Sequence, residues 1–322
     1  MDTLCIHLFG RLSIQRDGSK VFESLPPKAQ ELLVYLLLHR ERWHTRERLA
    51  AELWPEASPA DARSRLRRLM WRLQAGLGED PAATHLLKVD GDWLGVDCDT
   101  GLWLDVAVVE QAYRRLGTLT GPALPATLVA ELEAATGGIH GDLLDGWYQE
   151  WCLVERERLR IIQVSILSRL VNHYVASGEI ERGVTVALQL LQIDPAHEQA
   201  HRQLMRLRYM DGDRTGALRQ FTLCKQVLAL EFGVLPERST LALYDHIRRE
   251  DSGTVSDAEL PPAFPPSAIA LQGSIEALGT RLDRLQRLVT ESHDRVAREF
   301  QALHATLRAN PTEDRRHKRR VR

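Results

Sequence analysis

The sequence predicts a mainly α fold. It begins with an α+β winged helix-turn-helix, continues as an all-α domain of tetratricopeptide (TPR)-like repeats, and ends in a C-terminal amphipathic or coiled-coil helix. Three observations predict it. Strand-like alternation brackets three helical segments within the first 100 residues. A glycine-marked turn recurs 34 residues apart, at Gly178 to Gly183 and at Gly212 to Gly216. Beyond a proline-rich stretch, Ile275, Leu282, Val289, Val296 and Leu303 keep a seven-residue period.

At the start, Leu4, Ile6 and Leu8 fall on one side of a strand, and Leu12 and Ile14 repeat the pattern after Gly10. A period of two predicts a short antiparallel sheet, with Asp17-Gly18 as a turn. Pro26-Pro27 then enter the apolar run from Lys28 to His39, the signature of a core helix. Thr45 is a candidate N-cap for a second helix carrying Leu49, Leu53 and Trp54, which Pro55 ends. Ser58-Pro59 caps a third, from Pro59 to about Leu77, with Gly78 beyond it. Leu86 to Val89 and Trp93 to Val96 flank Asp90-Gly91-Asp92 and predict a hairpin. Sheet, three helices and hairpin are the order of a winged helix, assigned to residues 1–100.

Residues 101–250 form the second domain, almost wholly helical from 105. Each glycine turn follows an apolar helix with a tyrosine, Tyr174 or Tyr209, and Asp194-Pro195 closes the first unit. Two units are few for a solenoid, so the helices through Trp151 to Val171 and Leu241 to Ile247 are expected to cap them. Residues 251–267 read as a Pro-rich linker. In residues 268–308, Leu271, Leu278 and Leu285 complete a heptad that Ser292 and Glu299 then interrupt. Both a two-stranded coiled coil and a lone amphipathic helix fit this pattern. Residues 309–322 are a basic tail, expected to be disordered.

The composition narrows the function classes. A hydrophobic share of 44% and a charged share of 27% exclude a mostly disordered chain. The net charge of −2 excludes a uniformly basic coat for nucleic acid, and no domain is basic overall: residues 1–100 carry −1, 101–250 carry −3 and 251–322 carry +2. Any nucleic-acid surface must therefore be a local patch. The basic residues are nearly all arginine, the lysines being Lys20, Lys28, Lys88, Lys225 and Lys318. The longest apolar run, Leu32 to Leu38, cannot span a bilayer, and no signal-like segment follows Met1-Asp2, so a cytoplasmic protein with no membrane partner is expected. Cys5, Cys98, Cys152 and Cys224 are far apart and read as reduced thiols.

The third helix carries the chemistry. At 100° per residue, Ala62, Leu66, Leu69, Met70, Leu73 and Leu77 gather on one face as a core stripe. The opposite face holds Ser64, Arg67, Arg68 and Trp71, with Arg63 and Arg72 at its margins. A major groove admits one helix, and arginine reads guanine O6 and N7 as a fork. Arg63 and Arg72, with Arg46 and Arg48 on the second helix and Lys88 in the hairpin, are candidates for phosphate contacts. A different class is suggested by His197-Glu198-Gln199-Ala200-His201, which matches the H-E-x-x-H pattern of zinc hydrolases. That segment also opens the second repeat unit, and His246 is the one later histidine before the linker. A TPR-like interaction scaffold is a third possibility. No phosphate loop, dinucleotide fingerprint or nucleophile elbow is present, so no cofactor and no enzymatic role are expected.

Taken together, these motifs resemble the SARP-type (Streptomyces antibiotic regulatory protein) regulators, in which a response-regulator-type winged helix precedes a bacterial transcriptional activation domain. The N-terminal resemblance rests on Pro27-Lys28-Ala29-Gln30-Glu31-Leu32-Leu33, on Arg48-Leu49 through Leu53-Trp54-Pro55, and on Arg67-Arg68-Leu69 through Arg72-Leu73. That of the second domain rests on His140-Gly141-Asp142-Leu143-Leu144-Asp145-Gly146 before Trp151 and Glu155-Arg156-Glu157-Arg158-Leu159, on Arg202-Gln203-Leu204-Met205, and on Glu231-Phe232-Gly233-Val234-Leu235-Pro236 before Leu243-Tyr244. Together they cover about residues 3–250. The resemblance implies sequence-specific binding to double-stranded DNA and transcriptional regulation, usually activation. It also implies side-by-side dimers on direct repeats and a contact with RNA polymerase, with Ser64, Arg67, Arg68 and Trp71 facing the groove. Unlike the long members of that family, the chain shows no nucleotide-binding module or sensor repeats, and nothing in it resembles a phosphorylatable receiver domain.

Overall fold

Alternation commits the N-terminus to a sheet. Strand β1 (Leu4–His7) buries Leu4 and Ile6 and pairs antiparallel with β2 (Ser13–Arg16), placing Ile6 opposite Ile14. β2 pairs in turn with β3 (Ser19–Lys20). This computed structural model describes residues 4–16, 19–20, 25–77, 86–97, 101–117, 119 and 124–249. The expected Asp17-Gly18 turn, Gly78, the linker, the heptad segment and the basic tail all lie outside the described residues.

Three helices follow as the punctuation predicts. α1 (Pro27–Leu38) has its proline at the first turn and is buried at Ala29 and from Glu31 to Leu38, so it is covered on all sides. β4 (His44–Thr45) leads into α2 (Arg46–Leu53), where the Thr45 hydroxyl accepts from the Arg48 N–H and Trp54 is the C-cap. α3 (Pro59–Leu77) starts where the Ser58 hydroxyl accepts from the Asp61 N–H at 3.2 Å. The hairpin of β5 (Leu87–Asp90) and β6 (Trp93–Val96) turns at Gly91, whose φ of +55° suits glycine. β4 joins this hairpin in the order β4-β6-β5. Two residues are too few to show alternation, so β4 left no periodic signal.

The expected domain boundary at residue 100 cuts through a structural unit. β7 (Leu102–Leu104) runs parallel to β1, aligns Leu104 with Ile6, and completes the order β3-β2-β1-β7. The second domain then unfolds helix by helix: α4 (Asp105–Leu116), α5 (Ala126–Gly137), α6 (Glu150–Ser177), α7 (Ile180–Ile193), α8 (Glu198–Met210), α9 (Arg214–Phe232) and α10 (Arg238–Arg249). α6/α7 and α8/α9 are the two TPR-like pairs. Each turns at a left-handed glycine, Gly178 at φ +74° and Gly212 at φ +81°. Gly183 lets neighbouring helices close up, because a Cβ there would lie 2.9 Å from the Leu207 side chain.

One expectation is corrected. The segment through Trp151 to Val171 is not a separate cap. It is continuous with the helix bearing Tyr174, giving one helix of 28 residues. No glycine or proline interrupts Glu150–Ser177, so nothing breaks it. At the other end α10 caps the stack as expected, with Leu243 and Ile247 buried and Tyr244 stacked on Phe221 at 4.0 Å between ring centres.

The two domains share a seam. The buried Asp105 carboxylate accepts from the N–H groups of Leu8 (2.7 Å), Phe9 (2.9 Å) and Val106 (2.7 Å). Burial raises its pKa, against the pull of those three bonds. The 140–146 segment clips onto the same strand end: Leu144 N–H donates to the Leu8 carbonyl, and the N–H of Gly10 donates to that of Asp142. Arg156 holds the clip from behind by donating to the carbonyls of Leu143, Leu144 and Trp147. Across the other side of α1, Glu110 bridges Arg40 and Arg158, and Glu155 also takes Arg158. The Tyr35 ring meets His39, His44 and Trp151 edge-on.

Asp105→Ala leaves three N–H groups at the seam without their acceptor, so we expect a loss of about 3 kcal/mol, read from urea unfolding of the full chain. The histidines add a pH dependence. Burial, with Arg42, His44 and Arg158 close by, pushes the His39 imidazole down to about 4 from the usual 6.5, and burial lowers His44 as well. Below pH 6.5 the unfolded chain takes up protons that these folded imidazoles refuse. The unfolding free energy should therefore fall as the pH drops from about 6.5 to 4, and His39→Gln should flatten that slope.

Candidate nucleic-acid interface

α3 holds its shape without help from neighbours on its outer side. Residues 59–77 contain no β-branched side chain and begin with a capped proline, so helix propensity and packing agree. Ala62, Leu66, Leu69, Met70 and Leu73 are buried as predicted. Leu77 ends the helix, and its side chain lies outside the described residues. Ser64, Arg67, Arg68 and Trp71 are all exposed, as are Arg63, Arg65 and Arg72. Trp71 is 70% exposed, which is costly for an indole unless a partner covers it. The helix thus offers one continuous solvent face, rich in forked donors.

Beside the exposed Arg72, the predicted phosphate contacts divide into two groups: Arg46 and Arg63, which share a cleft with the base-facing candidate Arg67, and Arg48 with Lys88. Arg46, Arg63 and Arg67 line one cleft of about 350 Å³ together with Thr45, Glu47, Leu66 and Asp92. This cleft lies where the start of α2, the flank of α3 and the hairpin turn meet. The backbone N–H of Arg46 ties the turn down by donating to the Asp92 carbonyl at 2.9 Å. Its side-chain Nε has no partner among the described residues. The second group is engaged elsewhere. Arg48 comes two residues after Arg46, so it points to the other side of α2, where its charge acts on Tyr35 and Glu52. Lys88 forms an ion pair with Asp97 at 2.7 Å, across the hairpin.

The sequence reading passed over two aromatics. Trp43 and Trp93, 47% and 48% exposed, occupy the outward face of the β4-β6-β5 sheet, opposite the buried His44 and Leu94. Trp43 lies across Gly95, where a Cβ would stand 3.2 Å from the indole ring. Trp93 had a readable signal, since it alternates with the buried Leu94. Trp43 had none, because its face is set by β4.

The H-E-x-x-H segment is structural. His197 caps α8, its Nδ1 accepting from the Ala200 N–H at 3.1 Å. His201 is 2% exposed, with Nε2 donating to the Pro195 carbonyl at 2.8 Å and Nδ1 accepting from the Gln220 amide at 2.6 Å. Glu198 accepts from the Glu237 N–H. Both nitrogens of His201 are committed, so it has no lone pair to give a metal. Among the described residues no group of three histidine, cysteine or carboxylate side chains could hold a metal ion, and no helix is long and apolar enough to cross a membrane.

Comparison with known proteins finds two family matches along the chain. Residues 21–91 match the family described as transcriptional regulatory protein, C terminal, and residues 104–248 match the bacterial transcriptional activator domain. The transcriptional regulatory protein MoaR1 of Mycobacterium tuberculosis is 24% identical over 261 residues, covering 76% of this chain and 79% of its own. The transcriptional regulatory protein EmbR of Mycobacterium bovis is 26% identical over 254 residues, and the match covers 76% of this chain and 63% of EmbR. A solved structure of Mycobacterium tuberculosis EmbR in complex with a low-affinity phosphopeptide aligns with a TM-score of 0.63 at 22% identity, covering 87% of this chain and 72% of that one, which shows a shared fold.

His201→Ala strips the Pro195 carbonyl and the Gln220 amide of their partner in the repeat interior. A loss of about 2–3 kcal/mol in urea unfolding is expected, with the zinc content of the purified protein the same as wild type.

Proposed function

Because the chain belongs to the SARP-type family of DNA-binding transcriptional regulators, we propose that α3 is its reading helix, lying in the major groove with Ser64, Arg67, Arg68 and Trp71 toward the bases. The observation that carries this reading is the unbroken exposed face of α3 opposite a fully buried apolar stripe. Arg67 and Arg68 supply forks for guanine, and the Trp71 ring packs on sugar or on a thymine methyl. Arg46, Arg63 and Arg72 neutralise phosphates and set the register. Arg48 and Lys88 already have partners within the protein and take no part in this proposal. Trp93 and the Gly91-Asp92 turn approach the neighbouring backbone as the wing.

Two copies bind side by side on direct repeats, and the helical domain meets RNA polymerase in the cytoplasm, so the protein activates transcription without a catalytic step. Selection of bound DNA from a random pool tests the reading as a whole: a shared motif in tandem copies supports it, and recovery of unrelated sequences overturns it. Arg68→Ala should weaken binding to the selected site by about 1–3 kcal/mol and relax one base position. Arg63→Ala and Arg72→Ala should weaken all sequences alike and each lower the salt slope by about 1, while Arg48→Ala and Lys88→Ala leave that slope unchanged.

A further inference from the structure

The helical domain contains a second concavity, away from α3. It is a cleft of about 490 Å³ bounded by α6, α7, the end of α5 and the 140–146 clip. Its floor is apolar: Phe9, Ile139, Leu143, Leu159, Leu167 and Ile193. Gln163 rises from α6 between Leu159 and Leu167. It is 7% exposed, and its amide forms no hydrogen bond among the described residues. Neither amide atom is sealed from solvent, so the amide opens onto the cleft, and a donor–acceptor pair on the wall of a cleft is what a bound molecule would satisfy. Gln189 and Gln192 of α7 add two more amides at the rim.

The charges argue for an uncharged occupant. Arg156 turns its Nε and Nη2 to three carbonyls of the clip, and Arg160 is held by both oxygens of Glu157 at 2.9 Å. Asp142 and Asp145 stand exposed at the rim, where they repel anions while remaining hydrated. Deep in the cleft the polar group is an amide, which cannot neutralise an ion. The volume falls in the range of small-molecule sites, which pair an apolar lining with a few placed polar groups.

We propose that this cleft is a binding site for a small uncharged organic molecule with an apolar ring body and a hydroxyl or carbonyl group that pairs with the Gln163 amide. Such a molecule would touch Phe9 and Leu143, the two residues whose β-bridge joins the clip to the N-terminal strand. The site therefore lies on the connection between the DNA-reading domain and the helical domain.

The test uses the full chain at pH 7 and three probes that share one ring system: 2-naphthol, the 2-naphthoate anion, and 2-(aminomethyl)naphthalene as the cation. In 15N-labelled protein, saturable binding of 2-naphthol should move the side-chain amide signal of Gln163. Gln163→Leu, which keeps the volume and removes the amide, should weaken 2-naphthol binding about tenfold, the equivalent of one lost hydrogen bond. The two charged probes should bind more weakly than 2-naphthol. Equal affinity in the Gln163→Leu protein, tighter binding of either ion, or an unmoved Gln163 signal in wild-type protein each overturns the proposal. The wild-type signal keeps the test decisive if the variant is poorly folded.

Discussion

The seam around Asp105 is the constraint on which the rest of the molecule depends. One carboxylate caps the end of β1 by taking the N–H groups of Leu8 and Phe9, and it starts α4 by taking that of Val106. The residue that opens the helical domain is therefore also the one that terminates the N-terminal sheet. With β7 beside β1 and the 140–146 clip on the same end of that strand, the sheet cannot shift without disturbing α4 and α6. Burying a carboxylate is unfavourable, and burial does raise its pKa. Three short bonds from backbone donors offset that penalty, which is why the charge sits where donors converge and nowhere else in the seam.

From that seam α1 gains its unusual environment. α1 is buried from Glu31 to Leu38, packed on α2, α3 and β6, and Tyr35 meets Trp151 of α6 edge-on. Inside this cover Glu31 pairs with Lys28 at 2.8 Å. α3, packed on α1, inherits a rigid support. Its outer face can then be given over to arginines that contribute nothing to the core.

Much of this was legible in the residues. Prolines and hydroxyl caps marked all three N-terminal helices, and the stripe of α3 fixed which of its residues face outward, because a 3.6-residue period leaves no freedom once Leu66 and Leu73 are inside. The 34-residue glycine spacing identified the repeats. What escaped were features set by distant contacts. Strand β4 and β7 are two and three residues long and exist through their partners. The separation of Arg46 from Arg48, and the pairing of Lys88 with Asp97, depend on which side of an element faces its neighbour. The H-E-x-x-H match stayed open as an alternative because sequence shows the spacing of two histidines but not that Gln220 and Pro195 already occupy one of them. The continuous α6 was the exception, since the lack of any breaker between Glu150 and Ser177 was there to be read.

That continuity has a mechanical consequence. A helix rises 1.5 Å per residue, so α6 is a rod of roughly 42 Å. Its first turns are bolted to α1, the clip and α4 through Trp151, Arg156 and Arg158, and its last turns carry Tyr174 at the heart of the repeat stack. A hinge between two domains lets each ignore the other; a beam through both makes leverage unavoidable. A tilt of about 5° imposed at the repeat end sweeps the other end through roughly 4 Å, close to one base-pair step of DNA.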